Sequence, residues 1–211
     1  MKLKSIALAG IIAAFGAKAQ AQANVDVNSS YVSRGMVFGP GPAVQPSINL
    51  TNGQFTGLAW LNRDPKLGVN ELDLYFRLAH EFSGVRVEAS YAKDFFWHSS
   101  LTETQEVDLS VTAGKLSGLL VHDFRSGKGQ YLEASYAAPA SQKFPVAIRF
   151  ALGYNNHYFR QTSSFSHLEG KVQLPLSIAG FSVTPSFTYV KALANNFQDK
   201  PVIGLSVSKS F

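Results

Sequence analysis

The chain has no cysteine, which excludes disulfide staples and thiolate metal sites and leaves packing and hydrogen bonds to hold the fold. Long apolar runs are missing too. No stretch reaches the roughly eighteen consecutive apolar residues that read as a membrane-crossing helix. Nor is there an excess of one charge. Lysine and arginine number 19 against 14 aspartates and glutamates, but Lys2, Lys4 and Lys18 lie in an N-terminal leader. Taking those three away leaves sixteen basic against fourteen acidic residues, so the basic footprint of a nucleic-acid binder is absent and no nucleic-acid partner is expected. The sequence contains no Walker loop, no G-x-G-x-x-G and no G-x-S-x-G, and it implies no cofactor.

The leader itself is well formed. Lys2 and Lys4 make a positive start, Ile6 to Phe15 an apolar core, and Ala19-Gln20-Ala21 and Ala21-Gln22-Ala23 two A-x-A cleavage patterns. Residues 1–23 read as a secretory signal peptide cut near Ala21 or Ala23, and residues 24–211 as one exported domain.

Within that domain the dominant signal is alternation. Leu72, Leu74, Phe76 and Leu78 share one parity, and Glu71, Asp73, Tyr75 and Arg77 the other. On an extended strand this sets apolar groups on one face and charges on the opposite one. The same pattern recurs at 85–91, 106–111, 131–136, 146–154, 168–174 and 181–189. Asn24 to Tyr31, Val44 to Leu50, Leu116 to Phe124 and Val202 to Phe211 complete it, and Gln54 to Leu61 is extended without a clear inner face. The total is about twelve strands. Short turn-like links, such as Asn52-Gly53, Ser83-Gly84, Gly114-Lys115 and Ala179-Gly180, alternate with longer ones at 35–42, 62–70, 93–104, 155–164 and 192–200. Short turns on one side and long loops on the other predict an all-β, closed, up-and-down antiparallel barrel in the bacterial outer membrane.

Aromatics recur at the strand ends. Tyr31, Trp60, Tyr91, Phe124, Tyr154 and Tyr189 close the outward-running strands, and Phe55, Phe82, Tyr136, Phe144, Phe181 and Phe211 lie at the opposite rim. They are expected as two membrane-interface girdles in contact with outer-membrane lipid and lipopolysaccharide. The terminal Phe211 on an alternating last strand is similar to the signal read by the barrel assembly machinery, an expected partner. Pro46 and Pro185 fall inside predicted strands, and a bulge or a missing ladder bond is expected at each.

Three segments carry a family resemblance: Tyr31-Val32-Ser33-Arg34-Gly35, Ala43-Val44-Gln45-Pro46-Ser47-Ile48 and Glu71-Leu72-Asp73-Leu74-Tyr75. Together they resemble the TorF family of small exported porins, through a Y-x-x-R-G stretch followed by an A-V-Q strand and an E-[LI]-D strand. The resemblance covers the first third of the mature chain and implies an outer-membrane barrel that passes small solutes. The loop after Gly35 departs from the family pattern in being rich in glycine and proline.

An apolar outside places Glu71, Asp73, Arg77, Arg86, Glu88, Glu106, Asp108, Glu133, Arg149, Glu169 and Lys171 in the lumen as pore-lining candidates, either wet and tuning ion selectivity or salt-bridged in a plug. Arg34 is a candidate anchor near the outer rim. A closed structural or adhesive barrel would instead carry its role in the loops. A lipid hydrolase would need a rim Ser–His pair, but the two residues of Ser166-His167, like those of His98-Ser99, point to opposite faces of a regular strand. His157, His167 and Glu169 match no familiar metal-ligand spacing, and neither a metal nor a catalytic residue is expected.

Overall fold

The computed structural model describes residues 19–39, 41–64, 70–97, 101–159, 161–195 and 197–211. In chain order the strands are β1 Gln20–Asn28, β2 Val32–Ser33, β3 Met36–Val37, β4 Ala43–Asn52, β5 Phe55–Asn62, β6 Asn70–Phe82, β7 Val85–Trp97 and β8 Thr104–Ala113. They continue as β9 Leu116–Asp123, β10 Gln130–Ala138, β11 Ala147–Asn156, β12 Ser163–Gln173, β13 Leu176–Ile178, β14 Phe181–Ala192 and β15 Lys200–Ser210. Neighbours pair antiparallel, β1 pairs with both β4 and β15, and β14 closes the ring onto β12. β13 continues β12, so the sheet is a closed twelve-stranded barrel. Closure leaves no unpaired edge, which satisfies the backbone within lipid.

The alternation sorts the two faces as the sequence requires. Val25, Val27, Phe76, Leu78, Val107, Leu109, Phe150, Leu168, Phe187, Ile203 and Leu205 are exposed on the outside. So large a continuous apolar surface is stable only against hydrocarbon. At one rim the strands turn tightly. Ser83 and Gly84 (φ 48° and 80°) and Ala179 and Gly180 (φ 50° and 79°) hold the paired positive φ values of a type I′ turn. Longer connections occupy the other rim, which by that asymmetry is the external one.

Two local readings change. The outward strand that ends at Trp97 absorbs Lys93, Phe95 and Phe96, which the sequence reading had assigned to a loop over 93–104. Its inward residues Ala92 and Asp94 keep the alternation going, and the adjacent aromatics hid it. His98 lies outside the described residues. β1 ends at Asn28, short of Tyr31. There the chain turns inward, with Ser30 Oγ donating to the Gly39 carbonyl at 2.5 Å and Phe38 N–H to the Tyr31 carbonyl at 2.9 Å.

At the prolines the ladder shows the missing bond, one of the two expected outcomes, and no bulge. Ser47 pairs with Trp60 and Val44 with Arg63 in unchanged register, and Pro46 sits between them without a donor for β5. β12 and β13 likewise share one register against β14, Gln173 opposite Ser186 and Leu176 opposite Val183. Leu174 N–H still donates to the Pro185 carbonyl at 3.0 Å, but Pro185 has no N–H to return. Pro175 points its missing donor the other way, past the end of β11, where no strand needs it.

Candidate functional site

Lumen-facing side chains define the site, and the loop between β1 and β4 shapes it. Residues 29–39 fold into the external end of the barrel instead of standing above it. β2 and β3 form a small hairpin, Val32 opposite Val37 and Ser33 opposite Met36, with Arg34 (φ 50°) and Gly35 (φ 78°) at its tip. The Arg34 guanidinium crosses to β8, where Nη2 lies 3.0 Å and Nη1 3.3 Å from the Glu106 carboxylate. Tyr158 OH joins Arg34 and Glu106. The guanidinium also lies over the rings of Tyr158 (5.0 Å) and Tyr131 (5.9 Å), a cation–π contact that supports the same position. Burial works against the Arg34 charge, and the Tyr158 and Glu106 partners outweigh it, so the group stays a cation.

Two further contacts seat the segment. Tyr31 stacks on Phe38 at 5.1 Å, meets Trp60 at 5.6 Å, and donates its hydroxyl to Glu71 Oε2 at 2.8 Å. Burial and then the Glu71 charge push the Tyr31 phenol well above its ordinary value, which keeps it a neutral donor. Gly35 packs directly on the imidazole of His167, leaving no room for a Cβ. That ring stacks parallel to Tyr131 at 6.2 Å, and Gly153 leaves space for it on β11.

The sequence reading is corrected at two points here. Tyr31 and Trp60 are not interface aromatics, since Tyr31 is turned into the lumen with the loop and Trp60 shares the inner face of β5. Ser166 and His167 do come together, Oγ 3.0 Å from Nδ1, because the β11–β12 register shifts at Gly153/Tyr154 and makes Ser166 the extra residue of a bulge. Both are buried, at 0% and 1% exposure. Glu169, the nearest acid in sequence, is held by Arg149. The pair serves as the seat for Gly35.

Below this closure the charged side chains are partly accessible to solvent. Glu88 is 23% exposed, Arg77 32%, Arg149 31% and Glu169 20%, against 1% for Glu106 at the closure. Arg149 bridges Glu133 and Glu169 across three strands, and Glu88 joins Arg77 and Arg86. Asp108 accepts from Ser90 at 2.9 Å, and Lys171 lines a cavity of about 290 Å³. Glu169 and Asp26 line it too, and the rest of its polar wall is amide and hydroxyl: Asn28, Gln45, Gln173, Thr184, Ser186, Thr188 and Ser206. Charges are therefore densest on the β6–β12 side of the lumen, and neutral hydrogen-bonding groups on the side of β1, β4, β14 and β15.

The remaining aromatics expected at the external rim face outward. Tyr91, Phe124 and Tyr189 are exposed, Tyr91 lies 6.5 Å from Phe124, and Tyr154 is half-buried edge-on to Phe165. Phe211 is 75% exposed, with the Lys209 ammonium 5.7 Å from its ring centre and its own N–H on the Ala21 carbonyl at 2.8 Å.

No protein-family model matches the chain, and no curated protein sequence matches it. Solved structures share its fold. A KdgM porin superposes with a TM-score of 0.60 at 12% identity, over 91% of this chain and 99% of the porin. The KdgM porin in complex with disordered oligogalacturonate gives the same values. A NanC porin superposes with a TM-score of 0.57 at 10% identity, over 88% of this chain and 97% of its own. The fold is thus that of the small outer-membrane porins, and the apolar belt suits the same membrane.

Proposed function

We propose that the protein is an outer-membrane porin of the TorF type, which passes small polar solutes and ions by diffusion. The observation that carries this is the two-zone lumen. A wet chamber lined by charges and hydroxyls lies beneath a closure made by one short loop. A barrel built only for rigidity would pack its interior throughout. Here the half-exposed Arg77, Arg149 and Glu88 keep water along the wall. The three TorF-like segments support the same reading, because they converge at the closure: Tyr31 bonds Glu71, and Gln45 Nε2 donates at 3.0 Å to Asn62, the cross-strand partner of Glu71.

On this reading residues 29–39 form the constriction and set the size limit. The leader is removed on export, and cleavage after Ala21 keeps more of β1 than cleavage after Ala23. Proteoliposome swelling tests the function. Folded protein should admit small neutral sugars at rates that fall steeply with solute size. Liposomes that hold folded barrel and do not swell in any sugar would overturn it.

A further inference from the structure

Glu71 and Asp73 on β6 and Asp94 on β7 converge on the lumen wall beside the closure. Asp73 and Asp94 are direct cross-strand partners, and Glu71 lies two residues from Asp73 on the same face. One carboxylate oxygen from each comes within 4.8 Å of the other two. All three residues are 5% exposed. Their hydrogen bonds do not exhaust them. Glu71 accepts from Tyr31, Asp94 Oδ2 from Thr104, and Asp73 Oδ2 weakly from Tyr75 at 3.5 Å. Asp73 Oδ1 and Asp94 Oδ1 are buried with no donor among the described residues.

No lysine or arginine among the described residues forms an ion pair with any of the three. Arg34, whose charge reaches Glu71 and Asp94, makes its ion pair with Glu106. Three adjacent buried carboxylates that share one such counter-charge are costly, so the site calls for protons or a further cation. The donor set favours the cation. Ca²⁺ accepts oxygen ligands at about 2.3–2.6 Å in flexible geometry, whereas Mg²⁺ demands a near-ideal octahedron, which three carboxylates fixed on two neighbouring strands do not supply. An all-oxygen, carboxylate-rich donor set is that of a hard divalent ion.

We infer that Glu71, Asp73 and Asp94 form a calcium site on the lumen wall. The ion neutralises the acidic side of the closure, and Tyr31, hydrogen-bonded to Glu71, ties the inward loop to the site. Binding does not depend on conduction, so a barrel that passes no solute would leave this inference standing.

The test titrates CaCl₂ into the full folded barrel in detergent, read by calorimetry. A second readout is Tb³⁺ luminescence excited through Trp60, the cross-strand partner of Asp73. The expected result is one saturable Ca²⁺ per barrel, weakened at least roughly tenfold in D73N/D94N. The gel shift between unheated and boiled protein reports whether the variant has folded. If that double variant fails to fold, E71Q and D94N singly should each weaken binding. Folded wild-type protein that binds no Ca²⁺ up to millimolar concentrations would overturn the site and leave shared protons as the occupant. Binding unchanged in the folded variants would overturn it equally.

Discussion

Arg34 and Glu106 face each other across the lumen at 3.0 Å, and with them a loop of β1–β4 is fastened to the far wall of the barrel. The Glu106 side chain is 1% exposed and that of Arg34 19%. Removing one member of such a pair leaves a buried charge and costs about 3–5 kcal/mol. In R34A the docked loop should therefore lose more than about a hundredfold in its ratio to the undocked one, at about 1.4 kcal/mol per decade. Because the chain has no cysteine, a single S33C reports this directly. Its labelling by a membrane-impermeant maleimide should accelerate when R34A is added. Equal labelling rates would show that the pair does not hold the loop.

Gly35 works by what it lacks. Its φ of 78° costs any other L-residue about 1–2 kcal/mol, and a Cβ would also overlap the His167 ring. G35A should loosen the closure in the same labelling assay. G35A/H167A should recover part of the loss, because the overlap goes and the strain stays. A double variant as loose as the sum of both singles would mean that the two residues do not touch.

The Arg149 bridge between Glu133 and Glu169 balances two acids with one base in the wet chamber. R149Q frees both carboxylates toward the lumen. The reversal potential in a salt gradient should shift toward cation selectivity. A shift toward anions, or none, would place the conducting path away from this triad.

Phe211 carries an exposed ring, and its N–H bonds Ala21, a residue that leaves with the cut leader, so it adds little to the stability of the mature barrel. Deleting it should leave refolding in detergent nearly unchanged while lowering the amount assembled in the outer membrane. Equal losses in both would reduce its role to stability alone.

The barrel was legible because its code is local. Period-two alternation in Leu72 to Phe82 and its repeats fixes which face meets lipid, and Gly84 and Gly180 mark the turns. The closure was not. A motif such as Tyr31 to Gly35 carries no period, so only the three-dimensional path shows that it points inward. The same limit put Tyr31 and Trp60 among the girdle aromatics, since a strand-end ring reads alike on either face. The Ser166–His167 contact was invisible for another reason. It depends on one extra residue relative to β11, which nothing in β12 alone announces. Asp73 and Asp94 could each be assigned an inward or loop position, but their meeting required the β6–β7 register.

The most direct measurement is single-channel conductance of the refolded protein in a planar bilayer, wild type beside R34A. Wild type should show small, discrete steps in salt, and R34A larger or longer-lived ones as the loop leaves the lumen. Folded barrels of both forms that stay silent would contradict a solute pore closed by residues 29–39.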